Sequence, residues 1–229
     1  MSIGLIVDPP LMTRDAAVND QLAGEGGRTA RKRKAIVEAA TTVFLRDGYP
    51  GANMDEIALL ADVSKQTIYK QFTSKEALFL EIVAGLTNKG SDAVHGVIPE
   101  LAPGGDLHAY LEDYACLQLS IVLTPRLMQL RRVVIGETGR FPELGKALYE
   151  SGPGRAMAAM ATTFKGLADR GLLRIDDAAV AASHFNWLVM SQPLNQAMLL
   201  GDAGIPEPAD LRRHAADAVR VFLAAYGTG

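Results

Sequence analysis

Cysteine is almost missing from this 229-residue chain: Cys116 stands alone, so no internal disulfide forms and nothing points to an oxidising compartment. Aromatic residues make up only 6%, and no alternating run of β-branched residues announces a strand. The four histidines, His95, His108, His184 and His214, fall at no metal-ligand spacing, and one cysteine builds no zinc site. No metal and no cofactor are therefore expected. Catalytic motifs are equally scarce. Gly139 to Lys146 imitates a phosphate loop, but five residues separate its glycines and Ala147 stands where Ser or Thr is needed. There is no G-x-S-x-G, and Cys116 near His108 reads better as a packing cysteine than as a nucleophile. An enzyme is not expected.

Long apolar runs are also few. Residues 178–201 carry no charge for twenty-four positions, yet they include His184, Asn186, Gln192, Pro193 and Gln196 and have no basic flank. This predicts a helix buried at a core or subunit interface, not a membrane span. Ile3 to Val7, closed by Asp8, Pro9 and Pro10, lacks the basic start and apolar length of an export signal, so a cytoplasmic protein is expected.

What is present is alanine, leucine and methionine in a chain 48% hydrophobic and 21% charged, the composition of a folded all-α protein. Residues 1–27, with Pro9, Pro10, Gly24, Gly26 and Gly27, read as a mobile arm. Helices are expected at about 29–47, closing at Gly48, then 54–61, 65–71 and from Ser74 toward 95. After a loop at Pro99 to Gly105, further helices are expected at 106–123, 125–138, 142–150, 154–171, 177–200 and 208–226. The predicted fold class is all-α: an N-terminal three-helix helix-turn-helix unit, then a helical body, with about nine to ten helices.

Residues 53–72, NMDEIALLADVSKQTIYKQF, hold the most informative pattern. Two short amphipathic helices flank a turn at Ala61-Asp62-Val63, with Asp62 where a left-handed residue is needed and Asn53, Glu56 and Ser64 as capping residues. Ile57, Ala58, Val63, Ile68 and Phe72 share the inner face; Lys65, Gln66, Thr67, Tyr69 and Lys70 do not. A seven-residue helix is about 10 Å long and fits a major groove about 12 Å wide. The helix over 65–71 is thus a reading helix in a helix-turn-helix.

Formal charge is −3 overall, which taken alone argues against a nucleic-acid partner. By segment the picture reverses. Residues 28–75 contain nine Lys or Arg against five Asp or Glu, a balance of +4, and the remainder carries −7.

The run from Ala35 to Leu78, AIVEAATTVFLRDGYPGANMDEIALLADVSKQTIYKQFTSKEAL, resembles the DNA-binding domain of the TetR family of bacterial transcriptional regulators. The Gly-Tyr exit of helix one, the Asp-Glu-Ile-Ala second helix, Val-Ser-Lys-x-Thr-Ile-Tyr-x-x-Phe and Ser-Lys-Glu-Ala-Leu follow in that family's order and spacing. Two departures stand out: Asp62 replaces the usual turn glycine, and Met54 replaces a small or hydroxylated residue. The resemblance implies base contacts from Lys65, Gln66 and Thr67, and phosphate contacts from Tyr69, Lys70 and Lys75. The cluster Arg28, Arg31, Arg33 with Lys32 and Lys34 would lie along flanking phosphates or enter the minor groove. It further implies domains at 28–75 for DNA binding and 76–229 for ligand binding and dimerisation, the latter resembling the AefR-like subgroup around Gly136-Glu-Thr-Gly-Arg-Phe-Pro-Glu-Leu. A homodimer through helices at about 154–171 and 177–200 would read a palindrome-like double-stranded DNA operator, most often as a repressor released by a small apolar or amphipathic ligand.

A ligand pocket should lie between body helices. Tyr110, Tyr114, Gln118 and Met128 are candidates from its first half, and Met157, Met160, Phe164, His184, Asn186, Trp187 and Gln192 from its second. Methionines and aromatics at helical spacing are more often plain core, whereas His184 and Gln192 in so apolar a segment need partners. The alternative function is a helical regulator or adaptor that acts through protein contacts without a small-molecule inducer.

Overall fold

A computed structural model describes residues 14–97 and 100–228. Among these lie ten α-helices: α1 (Arg14–Gly51), α2 (Met54–Leu60), α3 (Lys65–Phe72), α4 (Lys75–Val97), α5 (Leu107–Val122), α6 (Pro125–Glu137), α7 (Pro142–Ser151), α8 (Pro153–Asp169), α9 (Ala178–Leu200) and α10 (Pro208–Tyr226). A single 3-10 turn, Asp202–Gly204, separates the last two. Leu173 pairs with Gly227 in an isolated antiparallel bridge, and the Arg174 amide donates to the Tyr226 carbonyl at 2.8 Å. That bridge pins the end of α10 to the turn after α8, and no local pattern announces it. No helix among the described residues is long and apolar enough to cross a membrane.

Capping chemistry sets most boundaries. Asp106, Thr124 and Asp177 each accept a hydrogen bond from a first-turn amide of α5, α6 and α9, and proline opens α6, α7, α8 and α10. Gly48 adopts φ 74°, ψ 172°, so the regular part of α1 stops at the expected residue and Pro50 starts one extra turn. The other end of α1 departs from expectation. Residues 1–13 of the supposed arm lie outside the described residues, but 14–27 continue the helix. Nothing between Arg14 and Asp47 is proline, and once a helix exists each further residue adds a hydrogen bond. This outweighs Gly24, Gly26 and Gly27, at about 1 kcal/mol each.

Two apolar clusters organise the molecule. In the body, Phe185 of α9 meets Phe164 of α8 at 5.4 Å and Phe222 of α10 at 5.1 Å, both edge to face, with Tyr114 of α5 at 6.1 Å. The second cluster joins Ile36 and Phe44 of α1, Ile57 of α2, Ile68 and Phe72 of α3 and Phe79 of α4. It does not end there: Leu130 and Val134 of α6 and Leu144 and Leu148 of α7 are part of it. A unit of about fifty residues buries too little surface to be robust alone. Here α6 and α7 complete the core of the N-terminal head, so head and body share packing.

Candidate functional site: a nucleic-acid interface and a body cavity

The turn between α2 and α3 is built from its backbone outward. Asp62 takes φ 52°, the left-handed region expected of it, and the Val63 amide donates to the Ala58 carbonyl at 3.0 Å. Ser64 caps α3 by accepting from the Thr67 amide at 3.1 Å. Asn53 caps α2 through the Asp55 amide at 2.8 Å. Glu56 does not close the expected capping box; it receives the Arg46 guanidinium at 2.8 and 2.9 Å instead. A charge-assisted pair is the stronger bond.

On α3, Ile68 and Phe72 are buried, and the opposite face presents Gln66, Lys70 and the 40%-exposed Tyr69. Lys65 is exposed too, but its ammonium rests on Asp55 at 3.0 Å. Thr67 is half-buried, its hydroxyl engaged 2.8 Å from that of Ser64.

The basic residues separate into two kinds. Lys32 and Lys70 are exposed and hold no ion pair among the described residues, and Arg31 is exposed with a bond to the Gly27 carbonyl at 3.3 Å. Arg28 is also exposed. Arg33, by contrast, spans three helices: it pairs with Glu81 of α4, donates to the Gln71 carbonyl at 3.3 Å, and stacks on the Phe72 ring at 4.3 Å. Lys75 is likewise turned inward. Its ammonium donates to the carbonyls of Ala52 at 2.7 Å and Pro50 at 3.3 Å, and lies 5.2 Å from the centre of the Tyr49 ring. Burial pulls its pKa below the usual lysine value, opposed in part by the field of Glu137. Both side chains tie the start of α4 to the rest of the head.

In the body, a cavity of about 80 Å³ opens between α4, α5, α6, α7, α8 and α9. Of the expected pocket residues, Gln118, Asn186 and Trp187 line it. The others do not. Tyr114, Met128, Met160 and Phe164 are buried in the body cluster, where they pack because α5, α6 and α8 turn those faces to α9 and α10. Burial pushes the Tyr114 phenol far above its ordinary value. Tyr110 and Met157 are half-buried outside the cavity. His184 and Gln192 are exposed on the outer side of α9, His184 with its Nδ1 2.6 Å from the Tyr226 hydroxyl. Cys116 is half-buried, and burial together with Asp113 and Glu112 raises its thiol pKa, the reverse of what a nucleophile needs.

The rest of the lining was not anticipated from the sequence, and two of those residues are polar, Thr87 of α4 and Arg131 of α6. A usable signal existed for Arg131: it lies four residues after Leu127 and three before Val134, on the inward stripe of α6.

Comparison with known proteins agrees with this geometry. The model described as "Bacterial regulatory proteins, tetR family" matches residues 36–82, and "AefR-like transcriptional repressor, C-terminal domain" matches 109–228, more than half of the chain. The chain belongs to the TetR family. Its members are DNA-binding transcriptional regulators, not enzymes, and this TetR-family chain is a DNA-binding regulator. A crystal structure described as a TetR-family transcriptional regulator from Mesorhizobium loti is 39% identical, with TM-score 0.82 over 88% of this chain and 99% of that one. The flavonoid-responsive regulator FrrA is 30% identical, with TM-score 0.71 over 87% and 98% of the two chains. Among curated relatives, the HTH-type transcriptional regulator RutR of Escherichia coli is 36% identical over 86 residues, 38% of this chain and 34% of RutR. YhgD of Bacillus subtilis, also an HTH-type regulator, is 42% identical over 72 residues, 30% of this chain and 38% of that one. The chain thus matches little more than a third of the length of these curated relatives.

Proposed function

We propose that this TetR-family regulator is a homodimeric repressor that binds a palindrome-like operator through paired α3 helices and leaves it when a small molecule enters the body cavity. The observation that carries the reading is the two-faced α3: Ile68 and Phe72 anchor it in the head while Gln66, Tyr69 and Lys70 stand exposed on the other side. Lys65, Gln66 and Thr67 are the base readers of this scheme. Lysine and glutamine hydrogen-bond purine edges, and the Thr67 methyl suits a thymine methyl. Tyr69, Lys70, Arg28 and Arg31 hold phosphates, whereas Arg33 and Lys75 act first as struts that set the angle of α3.

One short helix reads few base pairs, so two copies related by a two-fold axis are required. The outer side of α9 suits the dimer contact. Val180, Trp187 and Leu199 are 46%, 50% and 79% exposed there, an apolar set that a partner's α8 and α9 would cover. Residues 28–75 then form the DNA-binding head, and 76–229 a body working in the cytoplasm. FrrA, by its name, responds to flavonoids, which supports a small-molecule effector for a chain of this shape. A ligand that prefers the DNA-free arrangement about 100-fold supplies about 2.7 kcal/mol of coupling.

The test is selection of genomic fragments by the purified full-length protein, followed by footprinting and sizing of the complex. The proposal expects an inverted repeat occupied by two copies. A complex of one copy per site, or retention of all fragments alike, contradicts it.

A further inference from the structure

The body cavity carries a chemical signature that narrows its ligand. Arg131 lines this space, makes no ion pair among the described residues, and its Nε–H is buried without an acceptor. Burial lowers its pKa, with no carboxylate near enough to offset that effect. Gln118 is 97% buried, its exposure being 3%; its amide nitrogen donates to Asn186 Oδ1 at 3.0 Å, and its own Oε1 is buried with no donor. A half-buried guanidinium whose Nε–H is buried without an acceptor, and a buried amide oxygen without a donor, are each costly. The Thr87 hydroxyl, by contrast, is satisfied: it meets the Val83 carbonyl at 2.7 Å and the Ser151 hydroxyl. The remaining walls, including Ile121, Leu127, Trp187 and Met190, are apolar.

We propose that the cavity binds an aromatic acid that also carries a hydroxyl: the carboxylate lies side-on against Nε–H and a terminal N–H of Arg131, and the hydroxyl donates to Gln118 Oε1. The fork of the guanidinium matches a carboxylate in the plane, and a flat ring suits the apolar walls. This rests on the reading of the chain as a ligand-released regulator and names the ligand class for it.

Size adds the consequence for regulation. A cavity that holds benzene measures about 150 Å³, roughly twice the 80 Å³ found here. An aromatic acid that enters it fully must therefore push the walls apart. Leu148 of α7 is both a wall of this cavity and a member of the head cluster, and Arg131 lies on α6 between Leu130 and Val134, which pack under the head. Expansion at Arg131 displaces the helices on which the head rests.

Trp187, the only tryptophan of the chain, lines the cavity and reports occupancy by its fluorescence. The experiment titrates full-length protein with para-hydroxybenzoate and para-coumarate, with their amides, and with the acids lacking the hydroxyl. The acids should bind at least about tenfold more tightly than the amides, the yield of one charge-assisted contact, and loss of the hydroxyl should weaken them further. Arg131→Met should abolish the acid preference, and Arg131→Lys should keep part of it. Because it removes a half-buried guanidinium with a buried, unpaired Nε–H, Arg131→Met should also raise the melting temperature of the ligand-free protein. Equal binding of acids and amides, no fluorescence change with acids at millimolar concentration, or a lower melting temperature for Arg131→Met overturns the assignment. The same samples are assayed on a selected operator fragment. DNA retained in the presence of bound acid contradicts ligand release but not the ligand class; acids that fail to bind contradict the class but not DNA recognition.

Discussion

Lys70 and Lys75 lie five positions apart and have different jobs, because one faces solvent and the other faces two carbonyls. Lys75→Met leaves the Ala52 and Pro50 carbonyls without their donor, and should lower head stability by about 1–3 kcal/mol in thermal or denaturant unfolding. Lys70→Ala should leave the melting temperature unchanged and reduce the slope of log affinity against log salt by about one ion. Gln66→Ala should alter base preference at one operator position, at a cost of about 1–3 kcal/mol, without changing the salt slope. The outward role of Gln66 and Lys70 was legible in the sequence, since helical spacing separates them from Ile68 and Phe72. The inward role of Lys75 was not. Its acceptors lie 23 and 25 residues earlier, and only the packing of α4 on the α1–α2 turn brings them within reach. The same holds for Arg33 and Glu81, separated by 48 residues.

Elements were the most readable level, because capping residues and prolines are local signals. Nine of the expected helices begin and end within two residues of the observed ones, or nearly so, and the exception is the start of α1, where weak glycine punctuation yields to helix propagation. The turns show a finer contrast. Asp62 at φ 52° stands where the residue type tolerates a left-handed backbone, but Thr73 between α3 and α4 takes φ 48°, ψ −42°, a conformation that β-branched residues avoid. No sequence rule would put threonine there. Thr73→Gly should relieve this strain and raise stability by about 1 kcal/mol, less the entropy glycine adds to the unfolded chain. Chemical denaturation of the full-length protein measures it; a loss of stability would mean that the Thr73 side chain contributes more than the strain costs.

For the whole molecule, the sharing of packing between head and body matters most. The second cluster runs from Ile36 through Phe79 into Leu130, Val134, Leu144 and Leu148, so a change in α6 or α7 reaches the head without any dedicated linker. Leu148→Ala should destabilise the fold by about 2–5 kcal/mol and, in the same variant, weaken DNA binding, although Leu148 is buried in the core and no part of α3's exposed face. The cavity itself was only partly visible beforehand. Gln118, Asn186 and Trp187 are legible as polar or aromatic groups in apolar helices, whereas Tyr114, Met128, Met160 and Phe164 fill ordinary core and His184 and Gln192 face outward. Which inward faces leave a gap depends on how six helices meet, and no single helix encodes that. The charge division, +4 on residues 28–75 within a chain of −3, survives with a refinement. Arg33 and Arg46 are paired with Glu81 and Glu56, and Lys65 with Asp55 in a pair exposed enough to open, so in the proposed DNA complex the field rests chiefly on the remaining exposed bases, Lys70 among them.

The central claim is that α3 reads DNA sequence. Its most direct test is parallel selection from a random DNA pool by wild-type protein and Gln66→Ala. The account predicts a two-fold symmetric motif for the wild type and relaxed preference at one symmetry-related pair of positions for the variant. Identical motifs from the two proteins would contradict it.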